Sequence, residues 1–144
     1  MTRTEGRTLA FELLYSLEIQ KVKKEEYEEQ IQLFLEDNEI NEEKVSKYIK
    51  QTVEGITKQE EDIKKMISEN LKEKWNINRI SKVDLVLLKL GIYEMIYSKL
   101  PYKVVVNEVV ELAKKYGDEP SPSFVNGILA NIIREQNLKD DKQE

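Results

Sequence analysis

The chain has 144 residues, a net charge of −5 at pH 7 and neither Cys nor His. That length suits one domain with a real core. The missing residue types exclude disulfides, the common zinc sites, a Cys nucleophile and an imidazole base.

No apolar run is long enough to cross a membrane. The opening MTRTEGRTLAFELLY carries charges where a signal peptide needs its apolar segment, so a cytoplasmic protein is expected. The glycines are scattered singly and form no phosphate-cradling loop. Any enzyme here would depend on carboxylates, Lys or Tyr. The composition therefore argues against catalysis.

Helical signals run from end to end. Thr2 and Glu5 have capping-box spacing, and Leu9, Leu13 and Leu17, with Ala10 and Leu14, continue as an apolar stripe. Tyr27, Ile31 and Phe34 or Leu35 mark a second helix, which breaks at EDNEIN. Val45, Tyr48, Ile49, Val53 and Ile56 keep the cleanest rhythm of three and four. Thr57 and Glu60 suggest another capping box ahead of Ile63, Met66, Ile67 and Leu71. WNINRI reads as a loop.

Ser81 and Asp84 then cap SKVDLVLLKLGIYEMIYSKL, whose apolar residues occupy nearly every face, as a buried central helix requires. Pro101 stops it. In YKVVVNEVVELAKKYG, Val106, Val109, Val110, Ala113 and Tyr116 fit a sixth helix, with Gly117 as its C-terminal cap. Ser121 as cap and Pro122 in the first helical position start a seventh, reaching about Glu135. The fold expected is all-α, seven helices in two small bundles that share the central fifth helix. It forms one domain over residues 1–138, with residues 139–144 as a frayed tail.

The acids concentrate in KKEEYEEQIQLFLEDNEINEEK, whereas the first residues and the segment from Lys99 to Lys115 lean positive. The net charge argues against non-specific coating of nucleic acid, and is compatible with one local RNA-facing side.

The segment SKVDLVLLKLGIYEMIYSKLPYKVVVNEVVELAKKYGDEPSPSFVNGIL resembles the C-terminal half of the NusB family, and RTLAFELLYSLEIQ resembles that family's first helix. The resemblance covers essentially the full length. It implies an all-α, non-enzymatic antitermination factor, with no catalytic residue, cofactor or metal, that binds single-stranded boxA RNA jointly with the small-subunit ribosomal protein NusE. That complex then modifies the elongating RNA polymerase, notably on rRNA operons. Pairing into a homodimer that hides the RNA side is also compatible with it.

Arg3 and Arg7 lie four apart and on a helix share one face, where they could clamp a phosphate path or stand as ordinary surface arginines. The resemblance favours RNA contact there, although Thr4, Glu5 and Gly6 stand where relatives often place basic residues. Phe124 sits on the border of the stripe Val125, Ile128, Leu129, Ile132 and Ile133. Periodicity makes it a staple against the sixth helix; the resemblance places it beside RNA, where a ring can stack on an unpaired base.

Ser121 and Ser123 would add hydroxyls, and the free N–H groups of the helix start suit a phosphate. Lys114 is the weaker phosphate candidate, since Lys114 and Lys115 also complement the helix dipole. Asp84 has a capping role, and in the family an acidic residue at this position faces the ribosomal partner. Gly127 is expected to permit close helix packing. Two other readings remain: a domain preceding an rRNA methyltransferase, disfavoured because the sequence stops at Glu144, and a protein-binding adaptor without RNA contacts.

Overall fold

A computed structural model describes residues 1–72 and 75–138. Residues 139–144, read from sequence as a frayed tail, lie outside the described residues. Among the described residues there are seven α-helices and no strand: α1 Arg3–Ile19, α2 Tyr27–Asp37, α3 Glu43–Lys58, α4 Glu60–Glu69, α5 Lys82–Ile92, α6 Tyr102–Tyr116 and α7 Ser121–Glu135. None is long and apolar enough to cross a membrane. The chain divides into two compact units, Met1–Lys58 and the remainder from Gln59.

In the first unit the reciprocal capping box forms at Thr2. Its hydroxyl accepts the Glu5 N–H, and the Glu5 carboxylate accepts the Thr2 N–H. This satisfies two of the four amides that a helix start leaves without partners. α1 packs on α3 and α2. Ala10, Leu13, Leu17, Ile31, Val45, Ile49 and Val53 form the core between them, with Tyr27, Phe34 and Leu35 partly buried against it. Each fully buried aliphatic side chain of this kind contributes about 1.5–3 kcal/mol.

In the second unit α5 packs on α4, α6 and α7. Every residue from Asp84 to Ile92 is buried, which is why its sequence is apolar on nearly all faces. Asp84 and Lys89 are the charged exceptions, and the Lys89 ammonium meets Glu60 of α4 at 3.2 Å. Thr57 does not cap α4: its hydroxyl donates to the Val53 carbonyl, one turn back in α3. WNINRI contains a short 3-10 turn, Ile77–Arg79.

The fifth helix does not run as an α-helix to Pro101. After Ile92 it widens into a π-turn, Tyr93–Tyr97, closed by Ser98 N–H to Tyr93 O at 3.0 Å. Lys99 then takes a left-handed φ of 55°, which reverses the chain before the proline. On α6 the buried residues are Val105, Val109, Leu112 and Ala113, so the stripe sits slightly to one side of the expected one, and Val106 and Val110 are half-buried.

Close packing of α5 and α7 is made by Gly91, where an added Cβ would lie 3.2 Å from a Leu129 methyl. Gly127, expected to serve this purpose, has nothing within 4 Å of that position.

Candidate nucleic-acid interface

The corner between α6 and α7 is built from short-range bonds. Gly117 ends α6 in an extended conformation, φ −94° and ψ −174°, which any residue can adopt. Its need for glycine comes from space. A Cβ there would lie 2.5 Å from Ser121 Oγ and 2.9 Å from the Ala113 carbonyl.

Ser121 is the first residue of α7 and is only 2% exposed. Pro120 holds the capping position and Pro122 the second helical position, so the expected cap is displaced by one residue. The Ser121 hydroxyl accepts the Asp118 N–H at 3.0 Å. It therefore holds the turn together and is not displayed to a ligand, which corrects the expectation of a free hydroxyl there.

Asp84 sits in the first turn of α5, where its N–H donates to Ser81 Oγ at 3.0 Å. The cap of α5 is thus Ser81. Asp84 is 9% exposed, and its Oδ1 is buried with no hydrogen-bond partner among the described residues. Burial pushes its pKa up, against the opposing hydrogen bonds from Ser121 and Ser81. The group expected to face a protein partner is therefore an interior one.

One turn into α7 the surface opens. Phe124 is half-buried, while Ser123, Asn126 and Gly127 are exposed. The ring lies at the edge of the apolar stripe, partly packed and partly accessible, and bare backbone at Gly127 follows it by one turn. Lys114 is 59% exposed and pairs with Glu111 at 2.9 Å, a contact worth little in water. The Lys115 ammonium lies 5.2 Å from the centre of the Tyr116 ring.

In the first unit, Arg3 is exposed in the first turn of α1, but Arg7 is 4% exposed and engaged in the interior. The two arginines share a helix face and not an environment, so the expected pair of surface cations reduces to one. Sequence reasoning missed the burial of Asp84 and the Lys89–Glu60 pair. The Ser81 and Asp84 spacing marked a helix start, and nothing local marked the burial of that acid or the pairing of Lys89 with an acid on another helix.

No group of three or more acidic side chains among the described residues could hold a metal ion. Among the described residues the scaffold is all-helical, and its α6–α7 corner carries the half-buried Phe124 with the exposed Ser123 and Lys114. Residues 4–134 match the NusB family model, and the chain belongs to that family.

It is 45% identical over 136 residues to the transcription antitermination protein NusB of Clostridium novyi, covering 93% of this chain and 99% of that one. It is 43% identical over 145 residues to that of Acetivibrio thermocellus, covering 100% and 97%. Among solved structures, NusB of T. maritima superposes with a TM-score of 0.84 at 33% identity, over 94% of this chain and 92% of that one. NusB in a crystal structure of antitermination factors NusB and NusE with double-stranded RNA gives 0.82 at 29% identity, over 94% and 99%. The family is one of transcription factors and not of enzymes.

Proposed function

We propose that this protein acts in the cytoplasm as an antitermination factor, binding single-stranded boxA RNA together with NusE and so modifying the elongating RNA polymerase, notably on rRNA operons. The observation that carries the reading is Phe124. Phe124 is half-buried and not enclosed at the start of α7, beside exposed Ser123 and Gly127. Stacking on an unpaired base suits such a ring.

Arg3 supplies a phosphate contact from α1, and Lys114 a second after exchanging its Glu111 partner for a phosphate. Arg7 acts from the interior by holding α1 in place, so Arg7→Ala lowers stability before it alters RNA contacts. Ser121 and Asp84 act behind the surface.

Phe124→Ala is expected to weaken binding of a boxA-like single strand by about 1–3 kcal/mol while leaving helicity unchanged by circular dichroism. Unfolding of this variant would favour the staple role instead. The burial of Arg7 and the pairing of Lys114 leave few cations for RNA, which supports a second reading as a protein-binding adaptor. Unaltered RNA binding in both Phe124→Ala and Arg3→Ala would favour it. Sedimentation of the free protein tests for a homodimer that covers this side.

A further inference from the structure

Gly127 is a glycine that the fold does not explain. It stands inside α7, where glycine is among the poorest helix formers. Yet it is exposed, and nothing lies within 4 Å of the place its Cβ would take. Crowding accounts for Gly91 and Gly117, and no glycine among the described residues has a positive φ. Neither reason for a glycine applies at 127.

Its neighbour on the helix surface is Phe124. Residues three or four apart on a helix adjoin, with Cβ atoms about 5–6 Å from each other. Helical side chains lean back toward the N-terminus, over the preceding turn. A side chain at 127 would therefore lie over Ser123 and Phe124. The other position that flanks the ring from the following turn is Ile128, which is only 6% exposed and belongs to the core-facing stripe. Of the two flanking positions, one faces the core and the other carries no side chain.

We infer that Gly127 controls access to Phe124: by lacking a side chain it keeps open the flank of the ring on which an unpaired base stacks. Stacking needs van der Waals contact across a ring face, and a flexible chain laid over that face takes the place of the base. Exposed Ser123 and Asn126 border the same opening. The helix gives up propensity at one surface position, and the surface keeps room for a ligand.

The inference rests on the reading that Phe124 meets RNA. Its test compares Gly127→Ala and Gly127→Gln, both better helix formers than glycine, so each is expected to raise the urea midpoint with helicity retained. Binding of a boxA-like single strand to the full chain is expected to fall about two- to threefold in Gly127→Ala and roughly tenfold in Gly127→Gln, approaching the loss in Phe124→Ala. In the Phe124→Ala background, Gly127→Gln should cost nothing more, since both changes remove one contact. A readout that helix stability does not move is relaxation of the Phe124 ring protons by a soluble paramagnetic agent, which should drop in Gly127→Gln.

Unchanged RNA affinity in Gly127→Gln, with affinity lost in Phe124→Ala, overturns the inference and leaves the ring reading standing. Additive losses in the double variant, or ring protons reached equally by the agent, overturn it as well. Should Gly127→Gln lose helicity, Gly127→Ala carries the same cycle. Intact binding in Phe124→Ala removes the ring reading itself, and the inference falls with it.

Discussion

Three glycines in the second unit carry three different physical meanings. At Gly91 the hydrogen side chain lets Leu129 of α7 close on α5, and at Gly117 it makes way for Ser121; at Gly127 it makes way for nothing. Gly127→Ala should therefore raise stability by about 1 kcal/mol, the helix-propensity difference, measured by urea unfolding, whereas Gly91→Ala should lower it. A destabilised Gly127→Ala would mean that the open space beside Phe124 is needed by the fold.

Sequence alone cannot rank these positions, because the contact that gives each glycine its meaning comes from another helix or across a turn. The same holds for Asp84. Its pKa is raised in the fold by burial, so the folded state binds its proton more tightly than the unfolded state does. Its contribution to stability is then greatest below the ordinary carboxylate range and falls as pH rises through the folded pKa. The stability of the parent minus that of Asp84→Asn should decrease over that window and stay flat above it. A difference that grows with pH would contradict the burial account.

At the level of elements, caps and stripes are the most legible features, since both rest on contacts within a turn or two. Thr2 with Glu5 and Ser81 with Asp84 announce two helix starts that the fold realises. Thr57 and Glu60 have the same spacing and make no cap, because Thr57 is still inside α3 and bonds backward. Spacing names candidates; the run of the backbone selects among them.

Thr2→Ala should lower stability by roughly 0.5–2 kcal/mol. The associated lowering of the Glu5 pKa, due first to the Thr2 backbone bond, means that this support is present above the ordinary carboxylate range and lost as pH falls. Chemical denaturation at neutral and acid pH checks both. The π-turn after Ile92 leaves no periodic trace, as all of its residues but Glu94 are apolar or aromatic and continue the apolar run before them. Pro101 marks where the helix must have ended but not how. The register of α6 shifts for a related reason: a run of valines offers several adjacent stripes, and packing on α5 and α7 chooses one.

For the molecule as a whole, an acidic chain that binds RNA must do so through a few local contacts. The exposed Arg3 and Lys114 and the half-buried Phe124 are groups suited to it, and the buried Arg7 and Ser121 make the surface set smaller than the sequence suggests. All seven helices and the family are legible in the sequence, because periodic stripes and the run through FVNG are local records. The site is legible only in part: residue type and position suggest contact, whereas exposure depends on neighbours from other helices.

The most direct test is titration of a boxA-like single strand at several salt concentrations, with and without NusE. The account predicts weak binding alone, marked tightening when two proteins share one RNA, and a shallow salt slope that Arg3→Ala reduces by about 0.7. Equal affinity with and without NusE, or no preference over a scrambled strand, would contradict it.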